Sequence, residues 1–492
     1  MKLVRNVLLG GLAMLILLVA VVAVRTATFA PAAATAAVTL PPPTPIDGAR
    51  AAVRLGEAIR FRTVSNQDPA QNERAEWDRL HAWLQATYPR AHAAMTREVL
   101  AGHTLLYTWQ GEDPALPPIV LMAHQDVVPV TAGTEGDWKQ PPFSGALVGG
   151  AVWGRGAVDD KGSLVGLFEA AEALTERGFQ PRRTVMFAFG HDEEQGGTGA
   201  QAVAATMKAR GIRAQFVLDE GMLIIADHPV TGGAAATIGL AEKGYATLRV
   251  TAKAAGGHSS MPPAPEKNAT VVLGRAVSAI ADNPFPLAFS GPAREMMRGV
   301  APDAPLMVRV AVANEWLFGP LLTRQIGATP AGAAMLHTTI APTMLEGSPK
   351  ENVLPQTATA RINYRIHPDD APADVLARAK AAVGDLPVTL AWESPPNAPS
   401  PVSSTTSAGW RVLSAVARES AGGAPVAPGL VLAATDSRAL SDVAEDVYRF
   451  QPVRLTLAET GMIHGTNEHI TVENLDRMAE FYARLISAAA SR

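Results

Sequence analysis

The chain contains no cysteine. Disulfides, thiolate nucleophiles and zinc–sulfur sites are therefore excluded, and any metal must be held by imidazole and carboxylate. Excess charge is also lacking. Lys+Arg number 42 against 46 Asp+Glu, a formal net charge of −4, with no long basic stripe and no aromatic–basic interleaving. No nucleic-acid partner is expected of such a surface. Aromatic residues make up only 5% and charged residues 18%, but hydrophobic residues reach 48%, which excludes general disorder. At 492 residues a single small core is excluded as well, so two domains are expected.

What is present starts with an uninterrupted apolar run, Val7 to Val24, with Lys2 and Arg5 before it and Arg25 after it. It lies near the lower limit for spanning a bilayer, about 17 residues. The basic flank predicts a cytoplasmic N-terminus. Residues 1–25 are read as a membrane anchor, with the rest of the chain outside. The alternative is a signal peptide cleaved in the Ala-rich stretch that follows, giving a secreted or periplasmic protein. A signal core is usually shorter, and Arg25 sits awkwardly before a cleavage site. Residues 26–45 are rich in Ala, Thr and Pro and read as an extended linker standing the folded part off the membrane.

From there strand-like runs alternate with amphipathic helices to about residue 240. This predicts an α/β fold, a mainly parallel sheet with helices on both faces. After Lys243 the pattern becomes β-α-β-β-α-β, the order of a ferredoxin-like α+β unit. About fifty residues, 283–335, interrupt that unit after its first helix and carry Glu-Trp-Leu-Phe-Gly-Pro-Leu-Leu (315–322), a lid or contact helix. The α/β pattern resumes near 397. The expected division is a catalytic domain of 46–242 and 397–492, with 243–396 inserted as a lid or dimerisation domain.

Four turn-rich segments at or after strand-like runs carry most of the chemistry: LMAHQDVVPV (121–130), VWGRGAVDDKG (152–162), MFAFGHDEEQGG (186–197) and FVLDEG (216–221). In open α/β sheets ligands bind at the carboxyl ends of strands, so these segments can converge on one crevice. His124 reads as a metal ligand and Asp126 as its support, since a ligating imidazole usually gives its other N–H to a carboxylate. A lone histidine in a surface turn is the plainer alternative. Asp159 and Asp160 lie in a glycine-framed turn. A carboxylate has two oxygens and can bridge two ions, although an Asp there can also cap the following helix. Adjacent Glu193 and Glu194 repel each other unless a cation lies between them. One can ligate while the other acts as general base; a solvated acidic turn is the alternative. Asp219 reads as a terminal ligand and Glu220 as structural. His464, in MIHGTNEH (462–469), completes a site without cysteine.

Together with GGHSSMP (256–262), ENVLP (351–355) and TDSR (435–438), these motifs resemble the dizinc exopeptidase family of aminoacylase, glutamate carboxypeptidase and succinyl-diaminopimelate desuccinylase. The likeness is greatest to its carboxypeptidase S and N-fatty-acyl-amino-acid synthase/hydrolase branch. It covers nearly everything from residue 50 onward. The resemblance implies two zinc ions per subunit. His124 and Asp219 would hold one, Glu194 and His464 the other, and Asp159 would bridge them with a cis peptide to Asp160. Glu193 would be the base, and His258 would stabilise the oxyanion, in relatives often from a second subunit. Asn352, Arg438 and Arg365 suit the free carboxylate of the substrate, which a guanidinium grips bidentately. The long interruption at 283–335 departs from the simpler relatives and leaves the homodimer open.

The expected activity is zinc-dependent hydrolysis, by metal-activated water, of the amide to a C-terminal amino acid in a small molecule or peptide with a free carboxylate. Cobalt or manganese also suits such ligands. One alternative is an N-fatty-acyl-amino-acid hydrolase/synthase, with Trp316, Leu317, Phe318, Leu321 and Leu322 receiving the acyl chain or simply packing a domain interface. A remote one is an inactive membrane-tethered binding homologue.

Overall fold

The computed structural model describes residues 2–30 and 38–491. Three apolar strands form the middle of the main sheet: Ile119–His124, Val185–Gly190 and Ala214–Asp219. Each is buried on both faces, because side chains alternate into two separate cores. Leu121, Phe187, Phe189, Phe216 and Leu218 enter the larger core, under helices Gly48–Ile59, Lys161–Glu176, Ala408–Ser420 and Val472–Ala490. Val120, Met122, Met186, Ala188 and Val217 enter the smaller one, under helix Thr198–Ala209.

The sheet has ten strands and is mixed. Val185–Gly190, Ile119–His124, Ala214–Asp219 and Ala444–Arg449 run parallel side by side. Outside them both senses occur: Val426–Val431 runs parallel to Ala235–Glu242, and other neighbours pair antiparallel. Thr96–Leu100 and Thr104–Trp109 form a hairpin against Val185–Gly190, and Ala235–Glu242 meets Ala444–Arg449 head to tail. The hairpin closes through Ala101 (φ 47°) and Gly102 (φ 91°), too short a link for the crossover that parallel strands need. Alternation of strands and helices detects crossovers and overlooks such links. The parallel quartet matters most here: His124, Gly190, Asp219 and Arg449 all lie at one edge.

The chain leaves the main sheet at Glu242, passes Lys243, and enters a second sheet with Gly244–Lys253. This antiparallel sheet has the order Thr339–Glu346, Thr357–Ile366, Gly244–Lys253, Val388–Trp392. Helices Ala269–Ala281 and Pro372–Val383 share its apolar core. Asn268 caps the first by accepting from the N–H groups of Thr270 and Val271. The return crossing lies beside the exit, where Asn397 bridges to Tyr245 and Ser400 N–H donates to Glu242 O.

The interruption at 283–335 does not close over the small sheet. Its helix Gly291–Val300 packs on strand Val426–Val431 of the main sheet. Gly299 permits the approach, since a Cβ there would stand 2.8 Å from the Cβ of Ala427. Met296, Met297, Val300, Val312 and Leu322 bury a separate cluster with Ala235 and Ala427. Helices Leu306–Ala313, Glu315–Ile326 and Pro330–Leu336 follow.

Lys2–Ala27 is one helix of 26 residues, long and apolar enough to cross a membrane by length and composition. Of the expected linker, the described residues 38–45 carry no helix or strand. Val38, Leu40 and Ile46 pack against the main core, and Thr44 is buried. Apolar side chains spaced through the Pro-rich stretch draw it onto the body. Residues 31–37 of that linker lie outside the described residues.

Candidate metal centre

Three parallel strands deliver their C-terminal residues to one place. His124 is the last residue of its strand and lies opposite Gly190, from which the turn to Glu193 and Glu194 departs. Asp219 ends the next strand, and Glu220 follows it. Asp159 arrives on the turn before helix Lys161–Glu176, joined to Asp160 by a cis peptide bond. His464 comes from the late turn after Met462.

Asp159 stands at the centre. Its Oδ1 is 2.8 Å from His124 Nε2 and its Oδ2 is 3.0 Å from His464 Nε2. Glu194 Oε2 lies 3.2 Å from the same His464 nitrogen. Glu220 Oε1 lies 3.5 Å from His124 Nε2. Two groups bring their donor atoms within 4.8 Å of one another: His124 with Asp159 and Glu194, and His124 with Glu193 and Glu220. Asp219 is also engaged by the backbone. Its Oδ2 accepts from Ser437 N–H at 2.8 Å. Of the Asp-Glu pair, Glu220 reaches His124 Nε2, and Asp219 keeps its second oxygen beyond the Ser437 bond.

The supporting groups explain the geometry. Asp126 is fully buried, and its two oxygens accept from Glu193 N–H and Glu194 N–H, both at 3.2 Å, while Ser65 Oγ donates at 2.6 Å. Its Oδ1 is also 3.4 Å from His124 Nδ1, and its backbone oxygen is 3.0 Å away. One carboxylate thus fixes a histidine and the Glu-Glu turn together. Glu468 does the equivalent for Asp159. It accepts from Val158 N–H at 2.9 Å and Asp159 N–H at 3.2 Å, and pairs with Arg155 at 2.7 Å. Glu468, Arg155 and Ser65 were not singled out from the sequence. The only signal for Glu468 was its place in the HGTNE run.

Burial sets the electrostatics. It pushes the Glu193 carboxyl well above the usual range, and Glu220, Asp436 and Glu194 add to this against the pull of His124. Burial likewise lifts Glu220 to about 8, with Asp159 adding. Asp159 is held below the usual range: burial opposes ionisation, but His124 and His464 both bond it. Hydrogen bonds to Asp159 and Glu194 raise His464 to about 10. The donor set is carboxylate-rich around two imidazoles, and Glu194 Oε1 is buried without a hydrogen-bond partner. Crowded carboxylates with an open oxygen fit divalent cations.

The remaining expected residues lie elsewhere. His258 is exposed, and its Nδ1 is 2.7 Å from Ser260 Oγ. Asn352 is close to it, because Gly257–His258 pairs with Val353–Leu354 and Ser259 N–H donates to Asn352 O at 3.1 Å. Arg438 stands at the junction of the two sheets and donates to the backbone oxygens of Ala398 and Lys243. Arg365 lies over the Tyr245 ring at 4.8 Å, near enough to both Lys243 and Arg438 to repel them. None of these four joins the cluster around Asp159 in this conformation, among the described residues.

The profile of "Peptidase family M20/M25/M40" matches residues 120–488. The chain belongs to peptidase family M20. It is therefore a metallohydrolase, and the family's enzymes depend on metal. Among sequences, "Probable carboxypeptidase S-like 2" of Dictyostelium discoideum is 35% identical over 442 residues, covering 88% of this chain and 84% of that one. "N-fatty-acyl-amino acid synthase/hydrolase PM20D1" of Homo sapiens is 36% identical over 444 residues, covering 88% and 87%. Among solved structures, the M20 family metallo-carboxypeptidase Sso-CP2 of Sulfolobus solfataricus superposes with a TM-score of 0.63 at 17% identity, covering 89% of this chain and 98% of that one. The M20 fold, with its mixed sheet and flanking helices, accounts for that likeness.

Proposed function

We propose that this M20 chain is a dizinc hydrolase of the amide to a C-terminal amino acid. The observation that carries the reading is the Asp159 carboxylate, whose two oxygens face His124 and His464 from opposite sides. His124 with Glu220 would hold one ion, His464 with Glu194 the other, and Asp159 both. Glu220 stands here for the expected Asp219 because its Oε1 lies 3.5 Å from His124 Nε2. Bound zinc supplies Lewis acidity and a water acidified towards neutrality.

The residues do the rest. Glu193 takes a proton from the attacking water on its carboxylate and returns it to the leaving amine nitrogen. Arg438 and Arg365 flank the junction and suit a substrate carboxylate. His258 and Asn352 travel together on residues 243–396, read as a ferredoxin-like lid. The element order and the antiparallel strand order support that name. His258 would donate to the oxyanion once the crossings at Lys243 and Asn397 close, or from a second subunit. Residues 46–242 with 397–492 then form the catalytic domain.

Lys2–Ala27 is read as an uncleaved anchor with the enzyme outside; a cleaved signal sequence would leave the same enzyme free. Within this chemistry, N-fatty-acyl-amino-acid hydrolysis or synthesis is the second reading. Exposed Trp316, Leu317 and Leu321 are compatible with it. Glu193→Gln in the full chain tests the mechanism. Turnover of N-oleoyl-phenylalanine and of glycyl-leucine should vanish while two metals per chain remain. Full activity in that variant excludes the mechanism, and the ratio of the two wild-type rates decides between the substrates.

A further inference from the structure

One face of the N-terminal helix is covered, and its cover is the segment that interrupts the small domain. Along Lys2–Ala27 nearly every side chain is exposed, but Leu18 and Val22 are half-buried and Thr26 is buried; Phe29, just beyond the helix, is half-buried. Their spacing of four, four and three residues marks a single helical stripe. Helix Leu306–Ala313 packs along it. Asn314, itself fully buried, donates from Nδ2 to Thr26 Oγ1 at 3.1 Å and reaches Val22 O at 3.4 Å. Arg25 Nε donates to Ala313 O at 3.4 Å, and the Arg298 guanidinium lies 5.6 Å from the Phe29 ring centroid.

This has a geometric consequence. At about 1.5 Å rise per residue, Leu18 to Thr26 covers about 12 Å of helix axis. If Val7 to Val24 cross the hydrocarbon, its last turns and whatever packs on them lie in the outer leaflet. The segment has the surface for that position. Leu306 is 68% exposed, Met307 77% and Trp316 55%, and Leu317 and Leu321 are exposed as well. Trp316, Leu317, Pro320 and Leu321 are spaced to share one face of helix Glu315–Ile326. The acidic residue on that helix is turned away from this face. Glu315 is paired to Arg294 at 2.6 Å and to Arg298 at 3.0 Å. Exposed Arg324, one turn beyond Leu321, is placed for the headgroups.

We infer that Leu306, Met307, Trp316, Leu317 and Leu321 are seated in the outer leaflet of the same bilayer that the N-terminal helix crosses. The occupant of this apolar surface is lipid. This rests on the anchor reading given above. The enzyme is then held by two elements, a spanning helix and an interfacial pair of short helices, and cannot swing on a free tether. Lys243 carries the constraint to the catalytic part, since its Nζ donates to Ala334 O at 2.9 Å and His337 O at 2.8 Å. Amphiphilic substrates reach such an enzyme by lateral diffusion in the leaflet.

Because the chain has no cysteine, single cysteines report single sites. Met307→Cys, Leu317→Cys, Leu12→Cys and Val99→Cys, each in the full chain, are spin-labelled after reconstitution in phosphatidylcholine–phosphatidylglycerol vesicles. Collision with oxygen, which partitions into lipid, is compared with collision with a water-soluble nickel chelate. The 307 and 317 labels should favour oxygen several-fold more than the Val99→Cys label and should resemble the Leu12→Cys label. If they match Val99→Cys while Leu12→Cys stays in lipid, the inference is overturned and the anchor stands. If they are shielded from both reagents, a second protein copy covers the face and the inference is again overturned. If the segment bearing residue 12 is absent from the mature protein, the anchor reading fails instead. The 307 and 317 labels, on vesicles mixed with that shorter protein, then decide the surface alone: lipid contact keeps it and water contact ends it.

Discussion

Arg155 and Glu468, over three hundred residues apart in the chain, form an ion pair at 2.7 Å with both side chains buried. The pair joins two turns. Glu468 receives the N–H groups of Val158 and Asp159, and Arg155 donates to His464 O at 3.1 Å and Gly465 O at 2.9 Å. The second turn needs the support, because His464 has φ 60° and Asn467 φ 62°. Left-handed backbone at a non-glycine residue costs about 1–2 kcal/mol.

Breaking that pair from one side should therefore be severe. Glu468→Gln or Arg155→Met leaves a buried charge alone, at a cost of about 3–5 kcal/mol. Thermal denaturation should show the loss, and metal titration should show weakened binding, since both turns loosen. A variant with unchanged stability and metal affinity would mean the pair is incidental.

Asp126→Asn tests the clamp on the Glu193–Glu194 turn. The amide keeps the volume but presents N–H₂ where one N–H now donates. Metal affinity or activity should fall about 10–100-fold, the usual effect of losing a group that orients a ligand. Ser65→Ala, which removes one donor to the same carboxylate, should fall less.

Glu220 and Asp219 can be separated by metal content. Glu220→Gln should reduce bound metal from two ions towards one per chain. Asp219→Asn, whose oxygen can still accept from Ser437, should retain both. Elemental analysis with matched activity measurements reads the difference, and the reverse pattern restores Asp219 as the ligand.

His81, behind the ligand-bearing turn, supplies a pH test. It is 6% exposed and lies 2.6 Å from Gln125 Oε1 through Nε2. Burial lowers it to about 4, so it is neutral in the folded enzyme. Between pH 6.5 and 4 the unfolded chain binds more protons there than the folded one, so stability falls as the pH drops through that window. The full effect is on the order of 3 kcal/mol. Melting temperatures of wild type should fall more steeply than those of His81→Gln between these pH values. Parallel curves would exclude the effect.

The centre of the fold was legible because its strands are apolar runs between turns. Val185–Gly190 and Ala214–Asp219 lie within a residue of where alternation puts them. Ala444–Arg449 was not legible. It is a central strand that reads as polar, Ala-Glu-Asp-Val-Tyr-Arg, because its Arg449 is buried in an ion pair with Glu242 at 2.8 Å. A charge satisfied by a residue 207 positions away leaves no local mark. The same holds for helix Gly291–Val300, whose amphipathic face suited any sheet and found the main one.

The sequence by itself determined the chemistry: no thiol, two imidazoles and a set of carboxylates at strand ends, hence hard or borderline metal ions and hydrolysis. Tertiary structure decided which of those groups meet. Asp219 and Glu220 are equivalent as composition, yet in the folded chain one accepts from Ser437 N–H and the other reaches His124 Nε2 at 3.5 Å. It also decided that the interrupting segment covers the N-terminal helix. Packing of this kind depends on surfaces far apart in the chain, and no local pattern records it.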